Sequence, residues 1–426
     1  MAILILDPDV NGRAQASIED SAARHAELHA LYEQLAAYHA RTAASLAEAK
    51  LASVDEEKGV EVELTVGCQS FVRYSHCQHL TYHTRRLTLL YPETLPSLPF
   101  VRKLRILHGS GPVQDFHFSR VRPVSLRVPL ECVVHLPGIV KIDLPWLWEW
   151  LPVPAAGRPI RHFTRVWEGP WRDARDDFGA AMEKQEEMLG LRIPATLTKA
   201  RLWFWQPRLS CDDDQALAMP ILVAPTKQDP LSVGLCVLAA QLQELNLGAF
   251  VTEHLFPVPD AEPSAQWSRM RRLTVEFHPL RPDGSWYFVG PRGGDPHSEG
   301  FVISEADHYP PLQATAEDEE IDEQWDEDPQ GGEEVDYFPD LFRTEPLADR
   351  IEPLLSAFAL AVKNMGALED AELFAYLAWY PSESRSDEYG DEAPYDCENG
   401  FKQWYSGRSV TGDQIRAFWA FSKISS

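Results

Sequence analysis

The sequence has few basic residues for its length. Lys and Arg together number 39 against 65 Asp and Glu, which gives a formal net charge of −26 over 426 residues. A chain with this charge repels a phosphate backbone, so binding of nucleic acid through a broad basic surface is disfavoured. We therefore expect no nucleic-acid partner.

Secretory and membrane-spanning features are also lacking. The apolar N-terminus has no basic segment before it and is interrupted by Asp7 and Asp9, unlike a signal peptide. No apolar run has the length needed to cross a bilayer. The six cysteines are scattered without a Cys-x-x-Cys pair, which is typical of reduced thiols. These absences predict a cytoplasmic or nuclear protein with no membrane association.

Sequence signatures of common enzymes are missing as well. There is no Gly-x-Ser-x-Gly elbow and no P-loop. Cys68, Cys77, His79 and His83 form a metal-like cluster, but their spacing is not a standard zinc pattern. The acidic triplet at 212–214 has no accompanying phosphate-binding loop, which favours a solvated loop over a cation site. We predict a non-enzymatic protein without a cofactor; the alternative is a metal-dependent enzyme or zinc-stabilised domain that uses this Cys/His cluster.

What the chain has instead is a recurring apolar pattern, apolar-x-x-apolar-x-apolar, which is preceded by Leu-Pro in two copies. This pattern is typical of leucine-rich-repeat-like units, each of which contributes one short strand to a shared sheet. The intervals between copies are unequal, so we predict an α/β fold built as an irregular solenoid with a curved, mostly parallel sheet. The central positions of the predicted strands are Leu104, Ile142, Phe163 (in a degenerate copy), Ala200, Leu245, Leu273 and Ala371.

The composition divides the chain into four parts. Residues 1–58 are predicted to be an N-terminal helical segment, because residues 16–52 lack Gly and Pro and have apolar residues at helical spacing. Residues 59–310 form the repeat-like array, with outer helices at 179–191 and 230–242. Residues 311–340 are predicted to be a disordered insert, because acidic residues dominate them. Residues 341–426 contain a helix at 347–365, the last repeat strand and a tail with a short helix at 413–421.

Two local patterns add detail to the array. Residues 60–66 alternate between apolar and polar side chains, as a half-exposed strand does. Pro282-Asp283-Gly284-Ser285 is a strong turn sequence, and we expect it to fold residues 286–289 back as part of a hairpin.

Strand alternation then indicates a candidate binding surface. In the segment 200–205, a strand sends Ala200, Leu202 and Phe204 to the core and their neighbours to the opposite face. Trp and Arg are common anchors of protein interfaces. The side chains predicted by this rule to face a protein partner are Arg105, Asp143, Arg201, Trp203, Trp205, Asn246, Thr274, Glu276, Glu372 and Phe374.

Several aromatic-rich strings resemble a large group of fungal F-box-family proteins with a degenerate leucine-rich-repeat-like body. The clearest are Leu202-Trp-Phe-Trp205, Met270-Arg-Arg-Leu-Thr-Val-Glu-Phe277 and Pro279-Leu-Arg-Pro-Asp-Gly-Ser-Trp286-Tyr-Phe-Val-Gly-Pro291. The resemblance covers roughly residues 85–400, and residues 1–60 contain no recognisable F-box. It implies substrate recognition for a Skp1–cullin ubiquitin ligase, with a Skp1-type adaptor and a degradation substrate as partners.

Overall fold

The structure, a computed structural model, describes residues 59–66, 89, 92–108, 124–144, 167–183, 192–204, 214–223, 228–257, 267–309, 316–317, 320, 323, 339–377, 379, 381–389 and 417–421. The predicted N-terminal helical segment, residues 1–58, lies outside the described residues.

Most strands of the described residues belong to a single eight-stranded sheet. The strands are β1 (Val60–Val66), β2 (Val101–His108), β3 (Lys141–Leu144), β4 (Lys199–Trp203), β5 (Glu244–Ala249), β6 (Arg272–Phe277), β7 (Phe288–Val289), β8 (Glu345–Pro346), β9 (Asp370–Leu377) and β10 (Ala417–Phe421). The sheet order is β1-β2-β3-β4-β5-β6-β9-β10, so neighbours in the sheet follow one another along the chain apart from the separate β7–β8 pair. Strands β1 to β6 and β9 of this sheet are parallel, and β10 is antiparallel to β9. A mixed α/β fold with a mostly parallel sheet is therefore confirmed.

The pairing register brings six of the predicted central positions into a single line across the sheet. From β2 to β9 the residues opposite each other are Leu104, Ile142, Ala200, Leu245, Leu273 and Ala371. Phe163, the centre of the predicted degenerate copy, lies outside the described residues, and β3 pairs directly with β4.

The described helices are α1 (Val128–Val133), α2 (Glu168–Glu183), α3 (Pro230–Ala239), α4 (Glu305–His308), α5 (Ala348–Asn364) and α6 (Glu383–Tyr389). The predicted helices at 230–242 and 347–365 correspond to α3 and α5. The helix predicted at 179–191 begins much earlier, at Glu168, and buries Trp171 and Phe178. Buried residues of α2, α3 and α5 share one hydrophobic core with the strand leucines, so the helices cover the apolar side of the sheet.

A fully buried ion pair connects α2 to the start of α3. The Arg175 guanidinium donates to both carboxylate oxygens of Asp229, at 3.1 and 2.6 Å, and to the Phe250 carbonyl at 3.1 Å. Asp229 is also the N-cap of α3, because its carboxylate accepts a hydrogen bond from the Ser232 backbone N–H at 3.0 Å. The Ser232 hydroxyl donates to the same carboxylate and accepts from the Thr252 N–H. These bonds compensate the buried charges at the point where both helices meet the end of β5.

The predicted turn at 282–285 is present. The Gly284 N–H donates to the Arg281 carbonyl at 3.0 Å, and Leu280 and Trp286 face each other in an antiparallel bridge. Gly284 has a φ of +79°, which side-chain-bearing residues rarely adopt. Beyond this bridge the chain continues into β7, which pairs with β8.

Two predictions for the C-terminal half differ from the structure. Most of the acidic insert, which composition predicts to be disordered, lies outside the described residues, but Ala316, Glu317, Glu320 and Glu323 are helical. Glu is a good helix former, which accounts for the difference at these positions. The helix predicted at 413–421 is wrong, because residues 417–421 form β10. This aromatic-rich segment suits a strand, and β9 offers it a free edge to pair with.

Candidate functional site

The side chains predicted to face a partner lie on the polar side of the sheet. On β4, Ala200 and Leu202 are buried in the core, while Arg201 between them is half-buried on the opposite side. The same alternation and register place one residue of each strand in a line that we call the middle row: Arg105, Asp143, Arg201, Asn246, Thr274 and Glu372. The structure therefore brings together six of the ten predicted residues as direct cross-strand neighbours.

Three further predicted residues lie beside them. Trp203, Gly248, Glu276 and Phe374 are opposite one another in what we call the third row, two residues further along each strand. The remaining predicted residue, Trp205, lies outside the described residues.

Sequence reasoning missed the row on the other side of the middle row. Two residues before Arg105, Asp143 and Arg201 the chain has Lys103, Lys141 and Lys199, which are aligned across three adjacent strands. We call these three residues the lysine row. The same register line continues with Glu61 on one flank and Glu244, Arg272 and Asp370 on the other. Period-two alternation from the predicted residues would have found this row, because residues i and i−2 of a strand share a face.

Opposite charges alternate at the start of the middle row. The Arg105 guanidinium lies 3.3 Å from the Glu63 carboxylate and 3.5 Å from the Asp143 carboxylate. Arg201 approaches Asp143 from the other side, at 3.7 Å. The Asp143 side chain is only 10% exposed, so it sits between two cations with little access to water. Attraction between charges is stronger in such a partly desolvated position than at an open surface.

Trp203 occupies a fitted position in the third row. Its indole N–H donates to the Asn246 amide oxygen at 2.6 Å, and the Arg201 guanidinium lies 5.9 Å from its ring. The ring lies over Gly248 on the next strand, where an added Cβ would come within 2.8 Å of it. A glycine at this position therefore makes room for the indole, which is 9% exposed.

The polar side of the sheet is not uniformly accessible. Trp203, Glu276, Phe374 and Asp143 are buried. Arg105, Arg201, Asn246, Thr274 and Glu372 are partly exposed, as are all members of the lysine row. The surface available to another molecule therefore consists mainly of the middle row and the lysine row, which we call the polar face. Buried members of the predicted set support this surface from beneath or beside it.

Ion pairs anchor both ends of the lysine row. The Lys103 ammonium is 2.5 Å from Glu61, and this hydrogen bond lowers the pKa of the Glu61 carboxyl. At the other end, Lys199 is 3.1 Å from Glu244, which also lies 3.4 Å from Arg272. Among the described residues, no carboxylate lies within ion-pairing distance of the central Lys141.

Most of the candidates for enzyme chemistry lie outside the described residues. Cys68, Cys77, His79 and His83 lie outside them, as do Asp212 and Asp213. Asp214 is described, and its carboxylate accepts a hydrogen bond from the Ala216 N–H at 2.9 Å, so it stabilises a turn. No cluster of three or more His, Cys, Asp or Glu with metal-binding geometry occurs in the described part of the chain.

Burial shifts the pKa of three described side chains, Cys132, Cys236 and His278, away from neutral pH. Desolvation raises the pKa of the Cys132 thiol to about 12 and that of Cys236 to about 11. A thiol with a raised pKa forms little of the reactive thiolate near neutral pH. Burial also lowers the pKa of His278 to about 3, so this imidazole stays neutral. These residues contribute packing and hydrogen bonds to the core.

No helix of the described residues is both long and apolar enough to span a bilayer. Comparisons of the chain with protein-family models, curated proteins and solved structures return no match.

Proposed function

We propose that the chain is a non-enzymatic protein-interaction module whose polar face binds a protein partner. The observation that carries this proposal is the alignment of parallel strands in chain order, with leucine-type residues facing the core and one continuous polar face on the opposite side of the sheet. Each strand adds one position to the middle row, so the face grows with the number of strands. Such a surface is suited to an extended contact with another protein.

In this proposal the strands are leucine-rich-repeat-like units of an irregular solenoid, and the sheet is curved with the polar face on its inner side. The unequal spacing of the strands along the chain supports irregular repeats, since the connecting segments differ in length. Parallel strands require crossover connections, and α2 and α3 supply the helices expected for the outer layer.

The chemistry of the polar face favours binding over catalysis. A chain of alternating charges runs through Glu63, Arg105, Asp143 and Arg201, as in structural and interface ion pairs. An active site typically combines a concave pocket with titratable groups whose pKa values are strongly shifted. The strongly shifted groups of the described residues, such as Cys132 and His278, are instead buried.

The resemblance to fungal F-box proteins adds a more specific role to the proposal. The partner on the polar face is then a degradation substrate, and a Skp1-type adaptor links the complex to a cullin ligase in the cytoplasm or nucleus. The aromatic strings that carry the resemblance include β4 and β6, which also supply Arg201 and Thr274 to the middle row.

Capture of partners from an extract of the native host tests this function. Thr274→Arg places a long cation in the middle row, and we expect it to reduce capture of the specific partner at least fivefold. Val302→Arg is the matched control, because Val302 is also β-branched, is 77% exposed and lies outside the sheet. Equal capture by wild type and both variants would contradict the proposed role of the polar face. A Skp1-type adaptor among the proteins retained by all three would support the ligase role, and its absence would remove that part of the proposal.

A further inference from the structure

The polar face carries a local excess of positive charge in a strongly acidic chain. Lys103, Lys141 and Lys199 are direct neighbours on β2, β3 and β4, where adjacent strands are about 4.8 Å apart. Like charges opposite each other on neighbouring strands are destabilising. With 65 acidic residues in the sequence against 39 basic ones, three aligned lysines are an unusual arrangement for this protein.

Internal ion pairs relieve this repulsion only at the two ends of the row. Glu61 draws the Lys103 ammonium toward β1, and Glu244 draws Lys199 toward β5. Both acids lie on the far sides of their partners from β3, so the central Lys141 is left between two cations. Its neighbour in the middle row, Asp143, is already shared by Arg105 and Arg201. An external anion can therefore pair with Lys141 without disrupting an existing ion pair of this face.

We propose that the lysine row, centred on Lys141, is the docking site for an acidic peptide segment of the protein partner. This inference rests on the proposed function and names the chemical class of the partner. An incoming carboxylate near Lys141 also reduces the repulsion from Lys103 and Lys199, so binding and relief of repulsion act together.

The flanking charges favour a short acidic peptide over a nucleic acid. The lysine row spans three strands, or about 10 Å, and is bounded by Glu61 on one side and by Glu244 on the other. A phosphate backbone carries regularly spaced charges along its whole length, so its continuation would meet these carboxylates. A peptide with a few consecutive acidic residues fits between them.

Binding of a fluorescein-labelled oligoglutamate peptide to the full chain, followed by fluorescence anisotropy at low ionic strength, tests the site. We expect Lys141→Gln to weaken binding about fivefold and Lys141→Arg to retain it within twofold. Arg272→Gln is the matched control: it changes the net charge equally on the same face but outside the lysine row, and we expect an effect below twofold. Lys141 is partly exposed and Arg272 is exposed, so the variants are expected to fold.

Salt and competitor series separate a specific site from general attraction. Binding should weaken as salt rises to about 0.5 M, and an oligoglutamine peptide of the same length should not compete. Equal weakening by Lys141→Gln and Arg272→Gln, or tighter binding of a single-stranded oligonucleotide than of oligoglutamate, would overturn the inference. The result is independent of the partner-capture experiment. If Lys141→Gln leaves peptide binding unchanged while Thr274→Arg still reduces capture, the polar face remains the proposed binding surface and only the acidic-peptide proposal is overturned.

Discussion

Substitution of Asp229 by alanine probes the buried ion pair that holds α2 and α3 against the sheet. The change leaves the Arg175 guanidinium, whose side chain is fully buried, without its carboxylate partner. It also removes the N-cap acceptor for Ser232. Breaking a buried pair by removing one partner costs about 3–5 kcal/mol. Loss of the N-cap accounts for about 1 kcal/mol within that range. We expect Asp229→Ala to lower the free energy of unfolding by about 4 kcal/mol.

Urea denaturation followed by tryptophan fluorescence and far-UV circular dichroism measures this loss. Arg271→Ala is the control, because Arg271 pairs with Glu369 in the open, with the two side chains 55% and 41% exposed. Exposed pairs contribute at most about 1 kcal/mol, so the control should stay within that range. The double substitution Arg175→Met with Asp229→Ala should cost less than the sum of the two single changes, because no unpaired charge remains buried. A loss of 1 kcal/mol or less for Asp229→Ala, or strict additivity in the double variant, would refute this reasoning.

Two further predictions concern the core and the third row. His278 has a folded-state pKa of about 3 against 6.5 for the free side chain, so the unfolded chain binds a proton in this window that the folded chain does not. The contribution of neutral His278 to stability is therefore complete above pH 6.5, and the free energy of unfolding falls by about 1.4 kcal/mol per pH unit between pH 6.5 and pH 3. The variant His278→Asn keeps an acceptor for the Leu280 N–H and should flatten that slope by the same amount. Urea titrations at several pH values measure it. An unchanged slope would contradict the assignment. Gly248→Ala should lower the free energy of unfolding by about 1–3 kcal/mol and change the fluorescence of Trp203, because the added Cβ would lie 2.8 Å from the indole. Unchanged stability together with an unchanged fluorescence spectrum would show that the indole does not lie over Gly248.

The strands and their register were predictable because the information is local. An apolar-x-apolar segment such as 245–247 marks both the strand and its inward face, and parallel neighbours of the same pattern pair most simply with like positions opposite each other. The two confirmed helices, α3 and α5, likewise have buried residues at helical spacing.

Features that depend on distant residues were not predictable in the same way. Arg175 and Asp229 are 54 positions apart, and neither has a local pattern that indicates its partner. The burial of Trp203 depends on a glycine on the next strand, 45 positions later in the sequence. β10 forms because β9 presents a free edge, so tertiary pairing decides the structure of a segment that a local pattern assigned to a helix.

The candidate site shows the same division. Alternation correctly placed Arg105, Arg201 and Thr274 on one face, and extended by two residues it also gives the lysine row. It did not reveal that Asp143 and Glu276 are buried, since exposure depends on the surrounding chain and not on strand direction.

Site-specific photo-crosslinking in the native host tests the central claim most directly. A photoreactive amino acid replaces Thr274 on the polar face or Val302 outside the sheet, and crosslinked proteins are identified by mass spectrometry. The account predicts one prominent crosslinked partner from position 274 that is absent from position 302. No crosslink at position 274, or the same partner crosslinked equally from both positions, would contradict the claim that the polar face is the binding surface.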